Sequence, residues 1–406
     1  MTVLTDLTAH AGPTTTPAAA GAPTPKAAPA PAPASSIHPM VDRSRLAGTD
    51  AQSSAAHRVY EHLVALWAPG VIEAAQDLGA FAALTSGPAT AAELARTLDT
   101  DPRATRVLLD GLHAYDIVER AMTEDGEIRY TLPVELHDVF SPGGLYSLAG
   151  KINYDRSLAW NAWRDLAHNV RTGARDAEGG HQLNQISEEE YTSLVRGINF
   201  WAPPIVSALA DALREQGWST GDGAKVLDVG CGTGIYSQLL LREFPLLTAR
   251  GLDVARITPI AIRQAKELGV ADRFEPTVVD FFHDSWGGGD LALFVNIFHL
   301  QTAESARELM LKAAKEINED GVIAIADHIV VEDTHGAPGV SDGADAAGTG
   351  SVQNRFFRLF AASMLATGGG DAYTVEEYDG WLADAGLRRI ALIDTPMHRL
   401  LLAKRA

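Results

Sequence analysis

Three glycines at alternate positions, directly after a short apolar run, constrain the fold of this chain more than any other feature. Residues 226–229 form the run, Gly230, Gly232 and Gly234 follow it, and residues 235–244 have helical apolar spacing. Glycine adopts left-handed backbone conformations and lets a ligand approach the main chain closely. The pattern therefore predicts a buried parallel strand, a tight turn and a helix, which is where nucleotide-like ligands bind in open α/β sheets.

Asp228, inside the predicted strand, distinguishes among the ligands that such a turn can bind. A carboxylate there attracts a cationic amino-acid ligand and repels a pyrophosphate, which disfavours the alternative of a nicotinamide-dependent oxidoreductase. Residues 224–234 closely resemble motif I of the class I S-adenosylmethionine-dependent methyltransferases. The resemblance implies S-adenosyl-L-methionine as the cofactor, bound by Asp228, Gly230, Gly232 and Gly234.

Acidic residues stand at the ends of the next two predicted strands. Residues 248–254 include Asp253 near the strand end, and residues 274–279 are followed by Asp280 and Phe281. An acidic residue at the end of the second strand accepts hydrogen bonds from ribose hydroxyls. The resemblance implies that Asp280 contacts the adenine amino group and that Phe281 packs on the ring. We therefore expect these three side chains to complete the cofactor site.

The remaining pattern predicts an α/β fold, with a Rossmann-like methyltransferase sheet at residues 221–406 and an α-helical winged-helix domain in front of it. Further strands are predicted at residues 291–297, 322–326, 387–393 and 397–402, the last of them antiparallel, and further helices at residues 259–268, 305–317, 353–365 and 375–385.

Residues 51–140 show the order helix, turn, helix, hairpin that is typical of a winged helix. Helical apolar spacing covers residues 53–85, Thr90 precedes a helix at residues 91–98, and residues 123–127 form an acidic hairpin turn. A DNA-binding wing would be basic, so a ligand-sensing winged-helix regulator is the less favoured alternative. In front of a methyltransferase domain, the module resembles the dimerisation domain of small-molecule O-methyltransferases.

That resemblance implies a homodimer, a small-molecule acceptor from specialised metabolism, and a helical connector, residues 141–220, that lines the acceptor pocket. The connector is rich in large aromatic residues, Trp201 among them. We expect residues 1–50, rich in alanine and proline, to be a disordered tail.

Composition limits the partners and the compartment. The 406-residue chain has a formal net charge of −19, which argues against nucleic acid as a partner, since phosphate binding needs a basic face. Its apolar runs are too short to span a membrane. The single cysteine, Cys231, leaves no internal disulfide, so we expect a cytoplasmic protein.

His299 follows the fourth predicted strand, where this family carries its general base. The acid and the tryptophan that usually follow the family's histidine are absent here. Methyl transfer needs in-line approach of the acceptor and removal of a proton, and imidazole titrates near neutral pH. The resemblance thus implies His299 as the catalytic base, with Asp327 replacing the glutamate usual after the fifth strand.

The stretch 326–328, Ala-Asp-His, indicates an alternative to the general-base mechanism. His299, Asp327 and His328 could bind one divalent metal as a two-histidine, one-carboxylate site, with His283 and Asp284 as further possible ligands. Some family members use such a metal to methylate the carbon next to the keto group of a 2-oxo acid. We expect the simpler case, in which His328 is not a ligand, because histidines on separate loops seldom converge.

Overall fold

The computed structural model describes residue 45 and residues 50–174, 187–218, 223–332 and 352–406. Nearly all of the expected disordered tail lies outside the described residues, as do residues 175–186 and 219–220 of the connector. The chain divides into two units, residues 1–61 and 62–406, and every tertiary contact described below lies within the second.

The amino-terminal elements follow the predicted winged-helix order: α1 (Ala51–Val64), α2 (Trp67–Leu78), α3 (Ala80–Thr85), α4 (Ala91–Leu98), α5 (Pro102–Ala114), β1 (Glu119–Met122) and β2 (Ile128–Thr131). The predicted helical stretch 53–85 is divided into three helices, and Gly79, with a φ of 77°, ends α2. Thr90 caps α4 by accepting the Glu93 N–H, as predicted. Strands β1 and β2 pair antiparallel and form the wing.

The connector is helical, as predicted, in the part that the structure describes. A short helix, α6 (His137–Phe140), precedes it, and its own helices are α7 (Ala149–Tyr154), α8 (Trp160–Arg164), α9 (Leu166–Thr172), α10 (Glu188–Gly197) and α11 (Ala202–Glu215). A π-helical segment, Asp155–Ala159, joins α7 to α8, and a 3-10 turn, Asn199–Trp201, joins α10 to α11.

The carboxy-terminal elements form the predicted α/β sheet. They are β3 (Lys225–Val229), α12 (Ile235–Glu243), β4 (Thr248–Asp253), α13 (Thr258–Glu267), β5 (Phe274–Val278), β6 (Gly289–Val295), α14 (Ala303–Glu316), β7 (Ile317–Asp327), α15 (Val352–Thr367), α16 (Val375–Asp384), β8 (Leu387–Asp394) and β9 (Arg399–Arg405). The seven-stranded sheet has the order β5-β4-β3-β6-β7-β9-β8.

Strands β3 to β7 pair in parallel, and β9 pairs antiparallel with both β7 and β8, so the antiparallel last strand is confirmed. Strand β7 begins earlier than predicted. Ile317 pairs with Gly289 and Val322 pairs with Leu291, so residues 318–321 form an irregularity within the strand. Asp320 and Gly321, which precede the predicted strand at residues 322–326, lie inside the observed one.

Apolar helices cover both faces of the sheet. On one face α11 and α12 contribute Leu209, Leu213 and Leu240, and on the other α14 and α16 contribute Met310 and Trp381. This burial holds the strands in place. Because β3, β4, β6 and β7 are parallel, their carboxyl ends meet at one edge, where ligands bind in such sheets. Among the described residues, no helix is both long and apolar enough to cross a bilayer.

Candidate active site

The glycine turn lies at this edge, between β3 and α12. Gly230, Gly232 and Gly234 have φ values of 70°, 55° and 73°, in the left-handed region that favours glycine. The N–H groups of Gly230 and Cys231 donate to the Leu252 carbonyl at 2.9 and 3.1 Å. These two bonds hold the turn against β4.

The three glycines are needed for different reasons. A Cβ at Gly230 would lie 2.2 Å from Ile297 Cδ1, and a Cβ at Gly234 would lie 2.3 Å from Gln238 Nε2. A Cβ at Gly232 would meet no described atom within 4 Å. Gly232 therefore faces open space, and a ligand can approach the backbone of the turn there.

Two buried carboxylates, Asp228 and Asp253, lie beside the turn. Asp228 accepts a hydrogen bond from Ser237 Oγ at 2.5 Å, and burial raises the pKa of Asp228 to about 7. Asp253 accepts from the N–H groups of Gly232 (2.9 Å) and Val254 (2.8 Å), one on each oxygen. Burial also raises the pKa of Asp253. A carboxylate oxygen has two acceptor sites, so Asp253 can still accept from a ligand hydroxyl.

Asp280 and Phe281 follow β5. The Asp280 carboxylate accepts from the N–H groups of Phe282 (2.9 Å) and His283 (3.2 Å), and these bonds, with the nearby His283 ring, lower its pKa. The Asp280 side chain is 54% exposed, so a ligand can reach it. The Phe281 ring comes within 3.7 Å of where a Cβ at Gly230 would stand, so it borders the glycine turn.

His299 and Asp327 form a buried pair. His299 lies in a 3-10 turn, Phe298–Leu300, after β6, and Asp327 is the last residue of β7. His299 Nδ1 lies 2.7 Å from Asp327 Oδ1, and the His299 backbone N–H donates to Oδ2 at 3.2 Å. Because the carboxylate can only accept, Nδ1 carries a proton, and in the neutral imidazole Nε2 is then the acceptor nitrogen.

His328 lies beside this pair and is 1% exposed. Among the described residues, neither of its ring nitrogens has a hydrogen-bond partner, although Nδ1 lies 3.4 Å from Asp327 Oδ1. Phe360 stacks on the imidazole with a centroid distance of 3.6 Å and an interplanar angle of 14°. Burial lowers the pKa of His328, which favours the neutral ring. Burying two ring nitrogens without hydrogen-bond partners is energetically costly, so a further partner for His328 is expected.

His299, Asp327 and His328 also interact electrostatically. Burial alone would raise the pKa of Asp327, but the charge and hydrogen bonds of His299 and His328 hold it well below the usual range. A ligand atom from each of His299, Asp327 and His328 lies within 4.8 Å of the others. Two imidazoles and a carboxylate suit a divalent first-row transition metal.

The expectation that these residues do not converge is wrong. Val295 pairs in parallel with Ala326, so the residues after β6 and β7 emerge together at one edge. His283 and Asp284 stay apart from this group in the described part of the chain. They lie in the Asp280 turn, where His283 pairs with the Asp280 carboxylate at 3.0 Å and Asp284 accepts the Asp280 N–H.

His398, which directly precedes β9, was not predicted as a site residue from the sequence. His398 Nε2 lies 2.8 Å from Asn296 Oδ1, and its ring centroid is 4.6 Å from that of His328. Trp201 of the connector approaches His398 edge-on at 4.9 Å. The available signal was the antiparallel last strand, which places Arg399 opposite Asp327 and therefore brings residue 398 to the same edge.

Comparison with known proteins agrees with this architecture. Residues 60–133 match the O-methyltransferase dimerisation domain, and residues 209–388 match the O-methyltransferase domain. The 3-hydroxy-5-methyl-1-naphthoate 3-O-methyltransferase of Streptomyces sahachiroi is 26% identical over 330 residues, covering 81% of this chain and 88% of the relative. The mitomycin biosynthesis 6-O-methyltransferase of Streptomyces lavendulae is 27% identical over 293 residues, covering 70% and 81%.

Solved structures share the fold. Human N-acetylserotonin methyltransferase superposes with a TM-score of 0.70 at 18% identity, covering 88% of this chain and 99% of that one. The mitomycin 7-O-methyltransferase gives a TM-score of 0.66 at 21% identity, covering 88% and 100%. With a dimerisation domain in front of a methyltransferase domain, and a glycine turn at the edge of its sheet, the chain belongs to the two-domain class I S-adenosylmethionine-dependent methyltransferases and is an enzyme that methylates a small molecule.

Proposed function

We propose that this enzyme acts in specialised metabolism and methylates the carbon next to the keto group of a small 2-oxo acid, with His299, Asp327 and His328 holding a divalent metal ion. The supporting observation is His328, a buried imidazole with no hydrogen-bond partner among the described residues for either nitrogen. Proton removal by His299 and Asp327 alone would leave that ring unsatisfied, whereas a metal ligand role would satisfy it. A bound metal would polarise the keto group and acidify the neighbouring C–H.

The cofactor fits the glycine turn in this proposal. The open side of Gly232 would receive S-adenosyl-L-methionine, Asp228 would attract its amino group, and Asp253 would accept hydrogen bonds from its ribose hydroxyls. Asp280 and Phe281 would hold the adenine ring. Support comes from the open space at Gly232 and from the acceptor capacity left on Asp253.

The second candidate function is O-methylation with His299 as the general base. The Nδ1–H bond to Asp327 orients the ring and leaves Nε2 to take the proton of a hydroxyl group. The names of the two Streptomyces relatives, both O-methyltransferases, favour this chemistry. His328 would then only pack against Phe360.

Product analysis distinguishes the two functions. The enzyme would be incubated with S-adenosylmethionine carrying a ¹³C-labelled methyl group and with matched panels of 2-oxo acids and phenols. We expect an NMR signal from a carbon-bound methyl group, formed from a 2-oxo acid. A label that appears only on phenolic oxygen would contradict C-methylation and support the second candidate.

Two expectations from the sequence remain part of the proposal. The hairpin turn carries Glu124, Asp125 and Glu127 on exposed positions, which supports a role without nucleic acid. Cys231 is buried and forms no disulfide bond, which supports a reducing compartment, the cytoplasm.

Gly232→Ala is expected to weaken S-adenosylhomocysteine binding by at least about tenfold, about 1.4 kcal/mol, because the added methyl group enters the space proposed for the cofactor. Calorimetry would measure the affinity. Gly269→Ala is the matched control, since Gly269 also has a positive φ, 71°, and no described atom within 4 Å of its Cβ position. Equal affinities in the wild type and Gly232→Ala would contradict the cofactor placement.

Asp228 predicts a pH dependence of cofactor binding. In the free protein the pKa of Asp228 is about 7, so the carboxyl is largely protonated at lower pH. A cationic amino group beside it favours the carboxylate, so S-adenosylhomocysteine should bind more tightly as the pH rises through this value and should release a proton. Calorimetry in two buffers of different ionisation enthalpy measures that release. Asp228→Asn should remove it, and an unchanged release in this variant would refute the assignment.

We also propose that the enzyme is a homodimer through its amino-terminal helices. Leu63, Leu66 and Trp67 are 64%, 54% and 57% exposed, which leaves an apolar surface at the junction of α1 and α2. Light scattering on a chain that starts near residue 50 is expected to give twice the chain mass. Leu66→Glu should shift this mass toward the monomer, whereas Leu246→Glu, which changes an exposed leucine of the sheet domain, should not. A monomeric wild type would exclude the dimer.

A further inference from the structure

His299, His328 and His398 form a histidine cluster at the edge of the sheet. One short turn of the connector contacts both this cluster and the glycine turn. This is the 3-10 turn Asn199–Trp201. Asn199 is 5% exposed, and its Oδ1 accepts a hydrogen bond of 3.0 Å from the Thr233 hydroxyl, which lies between Gly232 and Gly234. Asn199 Nδ2 also donates to Gln264 Oε1 on α13 at 3.4 Å. Asn199 thus links the connector to the turn proposed to bind the cofactor.

Trp201, two residues later, contacts the other part of the site. Its ring lies edge-on to His398 at 4.9 Å and to His328 at 6.1 Å. Its indole N–H donates to Met397 Sδ at 3.2 Å, which fixes the ring against the segment before β9. Any displacement of the turn therefore reaches the ring of His328 through direct packing.

We propose that Asn199 is a positioning residue that couples occupancy of the cofactor site to the arrangement of the His328 and His398 rings. This coupling rests on the cofactor placement proposed above. A ligand on Gly232 fixes the neighbouring Thr233, whose hydroxyl is buried and donates to Asn199. Both side chains are nearly inaccessible, 5% and 3% exposed, so water cannot easily replace the bond. Asn199 and Trp201 share one turn and move together.

The consequence for the reaction is an ordered assembly of the site. Bound cofactor holds the connector turn in one position, and Trp201 then holds the two histidine rings in the arrangement that the acceptor meets. Coupling of this kind is reciprocal, so an occupied acceptor site would also tighten cofactor binding. The contacts above supply the physical connection that such coupling requires.

Fluorine NMR on protein that contains 5-fluorotryptophan tests the coupling, with S-adenosylhomocysteine as the probe. The chain has seven tryptophans, and Trp201→Phe identifies the resonance of Trp201. In the wild type, saturating S-adenosylhomocysteine is expected to shift this resonance. In Asn199→Ala and in Thr233→Val, which keeps the side-chain shape but lacks the hydroxyl, the shift is expected to disappear even when calorimetry shows saturation. Thr233→Ser restores the hydroxyl and should restore the shift.

Two results would overturn the coupling: a Trp201 resonance that does not move in the saturated wild type, or one that moves fully in both variants lacking the hydrogen bond. Circular dichroism verifies folding, and if Asn199→Ala does not fold, Thr233→Val decides. A wild type that shows no binding heat with S-adenosylhomocysteine would contradict the cofactor placement itself, which calorimetry reports independently of the fluorine signal.

Discussion

Replacing His299 with alanine is expected to lower turnover by about 100-fold or more, as for the loss of a general base. The same loss is expected if His299 holds a metal, because the site would lose one of its three ligands. S-adenosylhomocysteine affinity should stay nearly unchanged, since His299 is not among the residues proposed to bind the cofactor. Transfer of a labelled methyl group measures turnover, and calorimetry measures affinity.

His113→Ala is the control for this experiment, because His113 is an exposed histidine on α5 in the winged-helix domain. It should transfer methyl groups at the wild-type rate. Near-normal turnover in His299→Ala on the true acceptor would exclude both chemistries and leave a reaction driven by positioning of the two substrates alone.

Treatment with a chelator is expected to abolish turnover, and added metal should restore it. His328→Ala and His328→Phe are both expected to lose the metal together with the activity. The phenylalanine variant is the sharper test, because it keeps an aromatic ring against Phe360 while removing both ring nitrogens. Elemental analysis of the purified protein measures metal content, with His113→Ala as the control for histidines on the surface.

The opposite pattern would identify the second candidate. If His328→Phe keeps full turnover, the chelator has no effect and elemental analysis finds no metal, then His328 only packs. The enzyme would be assigned to O-methylation, with the proton taken by His299 Nε2. Asp327 would retain its role, because it accepts the hydrogen bond from His299 Nδ1–H in either chemistry.

The glycine turn could be predicted because everything that defines it lies within a few consecutive residues. The three left-handed glycines, the strand before them and the helix after them are each specified locally. Asp228 and Asp253 could be placed beside the turn for the same reason, since each belongs to a strand with a clear apolar pattern. Local pattern also located Thr90 as a helix cap, a contact between neighbours in the chain.

The histidine cluster could be predicted only in part, because its members come from distant segments. His299 follows β6, Asp327 ends β7 and His328 comes directly after it, and His398 precedes β9. Their meeting depends on strand order and register, which no single segment encodes. The early start of β7 was missed for a similar reason, because the pairing of Ile317 with Gly289 extends the strand beyond its apolar run. The break between α2 and α3 has a local cause instead, the left-handed Gly79.

The position of β9 affects how the protein folds as it is synthesised. This strand lies between β7 and β8 although it follows both in the sequence, and its Arg399 stands opposite Asp327. On the ribosome, the edge of β7 therefore remains open until residues 399–405 have left the exit tunnel. An open strand edge can pair with other chains, so the nascent protein is exposed to aggregation during that interval. The buried His299–Asp327 pair, at the end of β7, therefore reaches its final surroundings only after that strand is inserted.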